Sequence, residues 1–242
     1  MSKFQQLSQK RPLRLVVCGQ AGSGKSSVIN ALLRAPILPV GYGKRTNPIT
    51  LVRQATGSNN STDTHDKAKR IVSQQTGMPG LHETLVREVQ SNAEILEKFE
   101  IIELPDFSSG LIDDHSYSMM VDADVLLWVT TASGAWQSSE KKIFQMLPAD
   151  LAQRSIIAVS RADKLRQSQD WDKIHLRLVR EAGCFFREAV FFSASKGALA
   201  AASESDEIWQ ITGGYLLSKI LHEFAEMRLT EAESNIVAFP AA

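Results

Sequence analysis

Short runs of apolar, β-branched residues alternate along the chain with segments whose apolar positions recur every three or four residues. That alternation predicts an α/β fold, a mostly parallel central sheet with helices on both faces. Leu13–Cys18 (LRLVVC) is a continuous apolar run and predicts a buried strand, and Lys25–Arg34 predicts the helix that follows it. Further strands are predicted at Ile49–Arg53, Phe99–Glu103, Val125–Thr130, Ser155–Ser160 and Ala189–Ser193. Helical spacing returns at Ser138–Leu147 and Asp170–Ala182, where Trp171, Ile174, Leu178 and Ala182 share a face expected to pack on the sheet.

Three stretches depart from a minimal domain of this class. Ala55–Arg70 (ATGSNNSTDTHDKAKR) is polar without periodicity and predicts a mobile loop. Leu81, Leu85, Val89 and Leu96 form a stripe that predicts an extra helix over Leu81–Leu96, between the second and third strands. Glu207–Arg228 predicts one long helix with Ile208, Ile211, Tyr215, Leu221 and Phe224 largely on one side, closing the domain or docking a partner. The expected division is an N-terminal extension over 1–10, a main domain over 11–202, and a C-terminal helix and tail over 203–242.

Composition narrows the function classes. The 242 residues carry 27 basic and 27 acidic side chains, so net charge gives no support for nucleic acid or an anionic membrane as partner. Cys18 and Cys184 share no CxxC spacing, which suits a reduced, cytoplasmic chain. No apolar run is long enough to cross a bilayer. His65, His82, His115, His175 and His222 show no ligand spacing, so no zinc site is expected. Asp122 and Asp124 are expected to solvate the start of a strand, and Trp136 to pack.

The strongest chemical signal is GQAGSGKS at Gly19–Ser26, a full G-x-x-x-x-G-K-[ST] between an apolar strand and a helix. Glycines let such a loop curl until successive amides point at phosphate oxygens. The helix beginning near Lys25 adds its positive N-terminal dipole. Lys25 can reach β and γ phosphates, and the Ser26 hydroxyl can ligate Mg²⁺. Gly19, Gln20, Ala21, Gly22, Ser23, Gly24, Lys25, Ser26 and Ser27 are therefore the candidate phosphate cradle.

The continuation GKSSVINALL resembles the start of translation-factor-class P-loop GTPases, above all the dynamin-like and Era-like branches. The resemblance implies a three-layer P-loop NTPase G domain over roughly residues 12 to 200. LPVGYGKRTNPITL (38–51) is similar to the dynamin switch I, which makes Thr46 the switch threonine closing on Mg²⁺, with Thr50 a weaker alternative. Ser160–Asp163 (SRAD) resembles the guanine-reading [NT]-K-x-D motif, with Ser for Asn or Thr and Arg161 for Lys. Asp163 would accept two N–H donors from the guanine edge, a pairing adenine cannot offer. Ser193–Lys196 (SASK) is similar to the S-A-K loop, so Ser193, Ala194 and Ser195 join the candidate base site, with the Ala194 amide facing the guanine carbonyl. GTP or GDP with Mg²⁺ is the implied ligand.

Residues 101–107, IIELPDF, stand where the family carries D-x-x-G. Glu103 can still place a carboxylate near the metal, through water and one methylene further out. Asp106 replaces the glycine whose amide bonds the γ-phosphate; like charges there cost on the order of 1 to 4 kcal/mol unless Asp106 turns to water or to an arginine such as Arg45. Phe107 cannot orient water, and Ala21 and Gly22 lack the P-loop side chains that relatives use for it. The expectation is a slow GTP-hydrolysing switch, with Lys25 and Thr46 as catalytic candidates, Ser26, Thr46 and Glu103 at the metal, and activation by a protein effector or by self-association across the nucleotide face. The alternative is a non-hydrolysing pseudo-GTPase scaffold presenting its C-terminal helix; a P-loop ATPase or kinase ranks third.

Overall fold

Eight strands make one sheet in the computed structural model, which describes residues 11–40, 48–55, 67–71, 84–107, 112–165, 168–193 and 204–237. They are β1 Leu13–Gly19, β2 Ile49–Gln54, β3 Lys67–Ile71, β4 Thr84–Ser91, β5 Phe99–Glu103, β6 Val125–Thr131, β7 Ser155–Ser160 and β8 Glu188–Phe191. Their spatial order is β3-β4-β2-β5-β1-β6-β7-β8. β1 pairs in parallel with β5 and β6, and β7 and β8 extend that parallel run. β2 joins β5 antiparallel, β4 joins β2 in parallel, and β3 closes the edge antiparallel to β4.

The helices are α1 Lys25–Leu32, α2 Asp114–Val121, α3 Ser138–Met146, α4 Ser168–Ala182, α5 Asp206–Ile211 and α6 Gly214–Val237. α1 and α6 cover one face, where Val28, Ile29, Leu217 and Leu221 pack on Leu15, Val17 and Leu127. α2, α3 and α4 cover the other through Met120, Ile143, Phe144 and Leu178 against Val16, Leu126 and Trp128. With both faces covered, Leu15–Cys18 is wholly buried, which is why β1 is apolar without alternation. Trp136 packs in the second layer as expected, but Trp171 lies at the rim of α4, stacked on Phe191 at 4.3 Å.

The segment expected as a helix over Leu81–Leu96 is instead strand β4 followed by a 3-10 turn at Glu94–Glu97. A spacing of four residues fits both periods: it is slightly more than one helical turn and also two strand repeats. Thr84, Val86 and Val89 favour the extended form, and the open edge of β2 supplies the hydrogen-bond partners. The predicted loop over Ala55–Arg70 also ends in structure, since Lys67–Ile71 is β3. Its KAKRI sequence, rich in Lys and Arg, suits an edge strand that must not recruit another chain.

The expected single C-terminal helix breaks at Thr212–Gly213 into α5 and α6. Gly213 has φ +87°, and a Cβ there would meet the Phe191 carbonyl oxygen at 2.2 Å, so the corner requires glycine. The break shifts the apolar phase: Leu221 and Phe224 are buried, whereas Ile211 is 78% exposed. α2 escaped the sequence reading, although Asp113 caps it by accepting from the Ser116 amide at 2.9 Å.

Asp124 does more than solvate a strand. It is buried before β6, accepts from the Arg14 amide at 2.8 Å, and pairs with the Arg11 guanidinium at 2.7 Å. Burial pushes its carboxyl pKa up, but the Arg11 and Arg14 hydrogen bonds and the Arg11 and Arg228 charges outweigh burial and hold it below the ordinary value. A depressed carboxylate stabilises the fold above its unfolded pKa and loses that contribution as pH falls through the folded one. Asp124→Ala is expected to cost about 1 to 3 kcal/mol at pH 7. In urea unfolding, the gap to wild type should shrink once pH drops below about 4.

Candidate functional site

The cradle starts where β1 ends. Gly19 has φ +151°, and a Cβ at that position would meet the Val129 carbonyl oxygen at 2.2 Å, so β1 can pass this close to β6 only with glycine. The loop then turns into α1, whose N-cap is Gly24, so no side chain caps the first-turn amides and no acid lies in that turn. The Ser23 hydroxyl is buried beside Gly19 with no hydrogen-bond partner among the described residues. Uncapped amides at a helix start and an orphaned hydroxyl suit an anion with several acceptor oxygens. The donor set present therefore fits a phosphate chain.

Lys25 is 4% exposed. Its Nζ donates to the carbonyl oxygens of Gly19 at 3.1 Å and Gln20 at 3.3 Å, and forms an ion pair with the Asp106 carboxylate. Asp106 is exposed on one side and pairs on the other with the lysine of the cradle; Arg45, the arginine expected from sequence, lies outside the described residues. The physical reason is the burial of that ammonium, which needs an anion beside it. Next to it, the Ser26 hydroxyl donates to Glu103 Oε1 at 2.6 Å. Burial raises the Glu103 carboxyl above its ordinary value, and the Asp106 charge adds to this; the Ser26 hydrogen bond and the charges of Lys25 and Arg87 oppose it. A hydroxyl and a carboxylate brought together in this way form a donor pair suited to Mg²⁺.

These groups share a cavity of about 440 Å³ lined by Lys25, Ser26, Ser27, Glu103, Asp106 and Arg161, with Gly22 and Gly24. Thr50, the weaker switch candidate, also lines it. Thr46 lies outside the described residues, as do Ala194 and Ser195. Gln20, Ala21 and Ser23 border a smaller cavity of about 220 Å³ on the other side of the loop. Gln20 is held there by a 2.5 Å hydrogen bond to Ser139 Oγ.

The SRAD segment closes on the cradle from β7. Ser160 Oγ donates to the Ser23 carbonyl at 2.5 Å, and Arg161 donates to the Gly22 carbonyl at 2.7 Å from a left-handed backbone (φ 58°). Asp163 is exposed two residues later and does not line the main cavity. Ser193 is half-buried, and its amide donates to the Thr212 carbonyl at 2.9 Å, so the α5–α6 corner anchors the start of the SASK loop. Phe107 is 5% exposed and stacks on Trp128 at 5.8 Å. Trp128 in turn donates to Glu140 Oε1 at 2.8 Å.

Two features were not foreseen from sequence. One is the Lys25–Asp106 pair, a contact across 81 residues that no local pattern encodes. The other is Arg87, which lines the main cavity from β4. A basic residue in a run with Thr84, Val86 and Val89 was the available signal, obscured by the helical reading of that segment.

With this geometry in place, comparison with known proteins decides the family. The chain matches the Dynamin family over residues 15–163. It belongs to that family. It is 24% identical over 175 residues to the transmembrane GTPase Marf of Drosophila melanogaster, covering 66% of this chain and 21% of Marf. Two structures of an oligomerised bacterial dynamin pair, described as a mechanism for long-range sensing and tethering of membranes, share the fold at 17% identity. Their TM-scores are 0.62 and 0.59, over 93% and 98% of this chain. The chain spans about a fifth of Marf's length and 39% and 51% of those two bacterial chains. Among the described residues, no helix is long and apolar enough to cross a membrane.

Asp106 offers a direct check on the cradle. Asp106→Ala leaves the buried Lys25 ammonium without its carboxylate while removing an anion from the phosphate path. Ligand-free thermal stability is expected to fall, by about 1 to 3 kcal/mol. The stabilisation by added magnesium pyrophosphate should grow, with affinity rising about tenfold. Opposite signs in one variant, read by thermal unfolding with and without pyrophosphate, identify Asp106 as the internal stand-in for phosphate.

Proposed function

We propose that this dynamin-family protein binds GTP and GDP with Mg²⁺ and hydrolyses GTP slowly, as a switch read by a protein partner. The observation that carries the reading is the cradle itself: uncapped amides at the start of α1, a buried Lys25 and the adjoining Ser26–Glu103 pair share one cavity. The amides of Gly19–Lys25 and the Lys25 ammonium would hold the phosphates. Ser26, Thr46 and, through water, Glu103 would hold Mg²⁺, which supplies charge neutralisation on the terminal phosphates. Asp163, Ser193, Ala194 and Ser195 would form the base site, with Arg161 bracing the cradle beside it.

The slow rate follows from the departures at 101–107. A triphosphate must displace Asp106 from Lys25, and Phe107 is buried against Trp128 with no group to orient water. The G domain would comprise 11–202 in a cytoplasmic setting, with the C-terminal helices packed on it. Self-association across the nucleotide face is the proposed route to faster turnover, in keeping with the oligomerised bacterial relatives. The Lys25–Asp106 pair also supports a second reading, a pseudo-GTPase scaffold that holds nucleotide without cleaving it.

A single-turnover assay separates the two: labelled GTP with protein in excess, Mg²⁺ present, Lys25→Ala and ATP as controls. The expected result is capture of GTP but not ATP, with GDP appearing over hours in wild type and neither event in the variant. Captured GTP that survives unchanged supports the scaffold. No capture by folded, nucleotide-free protein overturns both.

A further inference from the structure

Strand register lines up three polar side chains on one face of the sheet. Thr50 on β2 pairs with Glu103 on β5 on one side and with Arg87 on β4 on the other. Residues in register point the same way, and all three line the 440 Å³ cavity. Across the sheet the cavity therefore meets Arg87, Thr50 and Glu103, then Lys25 and Ser26 just past β1, and Arg161 just past β7. A nucleotide whose base lies by the SRAD segment would run its phosphates over Lys25 toward β5. Its last phosphate would end on the β2–β4 side. Arg87 lines that side, close enough for its charge to act on Glu103.

On the guanine-nucleotide reading above, on which this rests, we propose that Arg87 contacts the terminal phosphate of GTP and stabilises its transfer to water. In that step the water oxygen bonds to the γ-phosphorus as the bond to the β–γ bridging oxygen breaks. GDP leaves with the bridging oxygen, inorganic phosphate forms, and a proton passes to solvent. Charge spreads over the equatorial and bridging oxygens, and a guanidinium grips two such oxygens at once with a planar fork. An arginine supplied within the chain fills a role that other P-loop proteins give to an inserted residue. Arg87 also offsets the anionic Asp106 and Glu103, so the terminal phosphate does not enter a purely acidic end of the cavity. Diphosphate, lacking that group, gains little from it.

The test compares wild type, Arg87→Ala and Arg87→Lys in Mg²⁺ by equilibrium binding of GTP and of GDP and by single-turnover hydrolysis. Arg87→Ala is expected to weaken GTP about tenfold with GDP nearly unchanged, and to slow turnover at least about tenfold. Arg87→Lys should recover part of the GTP affinity and little of the rate, since an ammonium lacks the fork. If the Ala variant does not fold, Arg87→Gln carries the same comparison; if wild type proves not to turn over, the GTP-to-GDP affinity ratio decides alone. Equal losses for GTP and GDP, or no loss, would overturn the role of Arg87 while leaving nucleotide binding intact. Failure of wild type to capture GTP would instead overturn the underlying reading, and this inference with it.

Discussion

An ammonium almost wholly removed from water is stable only beside an anion, because burial strips its hydration and nothing neutral replaces the lost charge interaction. Lys25 is in that position, and the chain answers with two backbone carbonyls and the carboxylate of Asp106. Much else at the carboxyl edge of the sheet serves this meeting. The left-handed turn at Gly19 lets the loop fold back over the lysine stem. The end of β5 brings Asp106 across, while the hydrogen bonds from Ser160 and Arg161 pin the loop from the far side. A bound phosphate chain would supply the same negative charge, so on the proposed reading Lys25 would have two mutually exclusive partners, one within the chain and one in solution.

That exclusivity would connect packing to the proposed switching. Asp106 sits between Glu103, which is hydrogen-bonded to Ser26, and Phe107, which is stacked on Trp128. Moving Asp106 off Lys25 must therefore disturb a segment gripped at both ends. Trp128 leads onward to Glu140, which caps α3 by accepting from the Gln137 amide at 2.6 Å, and to Phe144 by an edge contact at 5.0 Å. Burial raises the Glu140 carboxyl above its usual range, opposed first by the Trp128 hydrogen bond. Packed side chains thus run from Asp106 to α3 through Phe107, Trp128 and Phe144.

Local structure was legible in the sequence where one element carries it whole. Gly19–Ser26 needed only a strand before and a helix after, and both are present. The covered faces of β1, β6 and β7 were likewise visible as unbroken apolar runs. The register of β4 was not, because Leu81, Leu85 and Val89 satisfy helix and strand periods equally until the open edge of β2 decides between them. Arg87 was lost with that segment. The direction of Asp106 was hidden for a different reason: its partner is distant in sequence, and only the burial of Lys25 determines where the carboxylate turns. The Gly213 corner, set by the approach of the Phe191 carbonyl, was concealed in the same way.

The central claim is that the Asp106 carboxylate and a phosphate take turns on Lys25. A crystal structure with Mg²⁺ and a non-hydrolysable GTP analogue tests it most directly. The account predicts phosphate oxygens against Lys25 Nζ and the amides of Gly19–Lys25, with Asp106 displaced from the lysine and the 103–107 segment shifted. A bound analogue with Asp106 still paired to Lys25, or one seated away from the cradle, would contradict it.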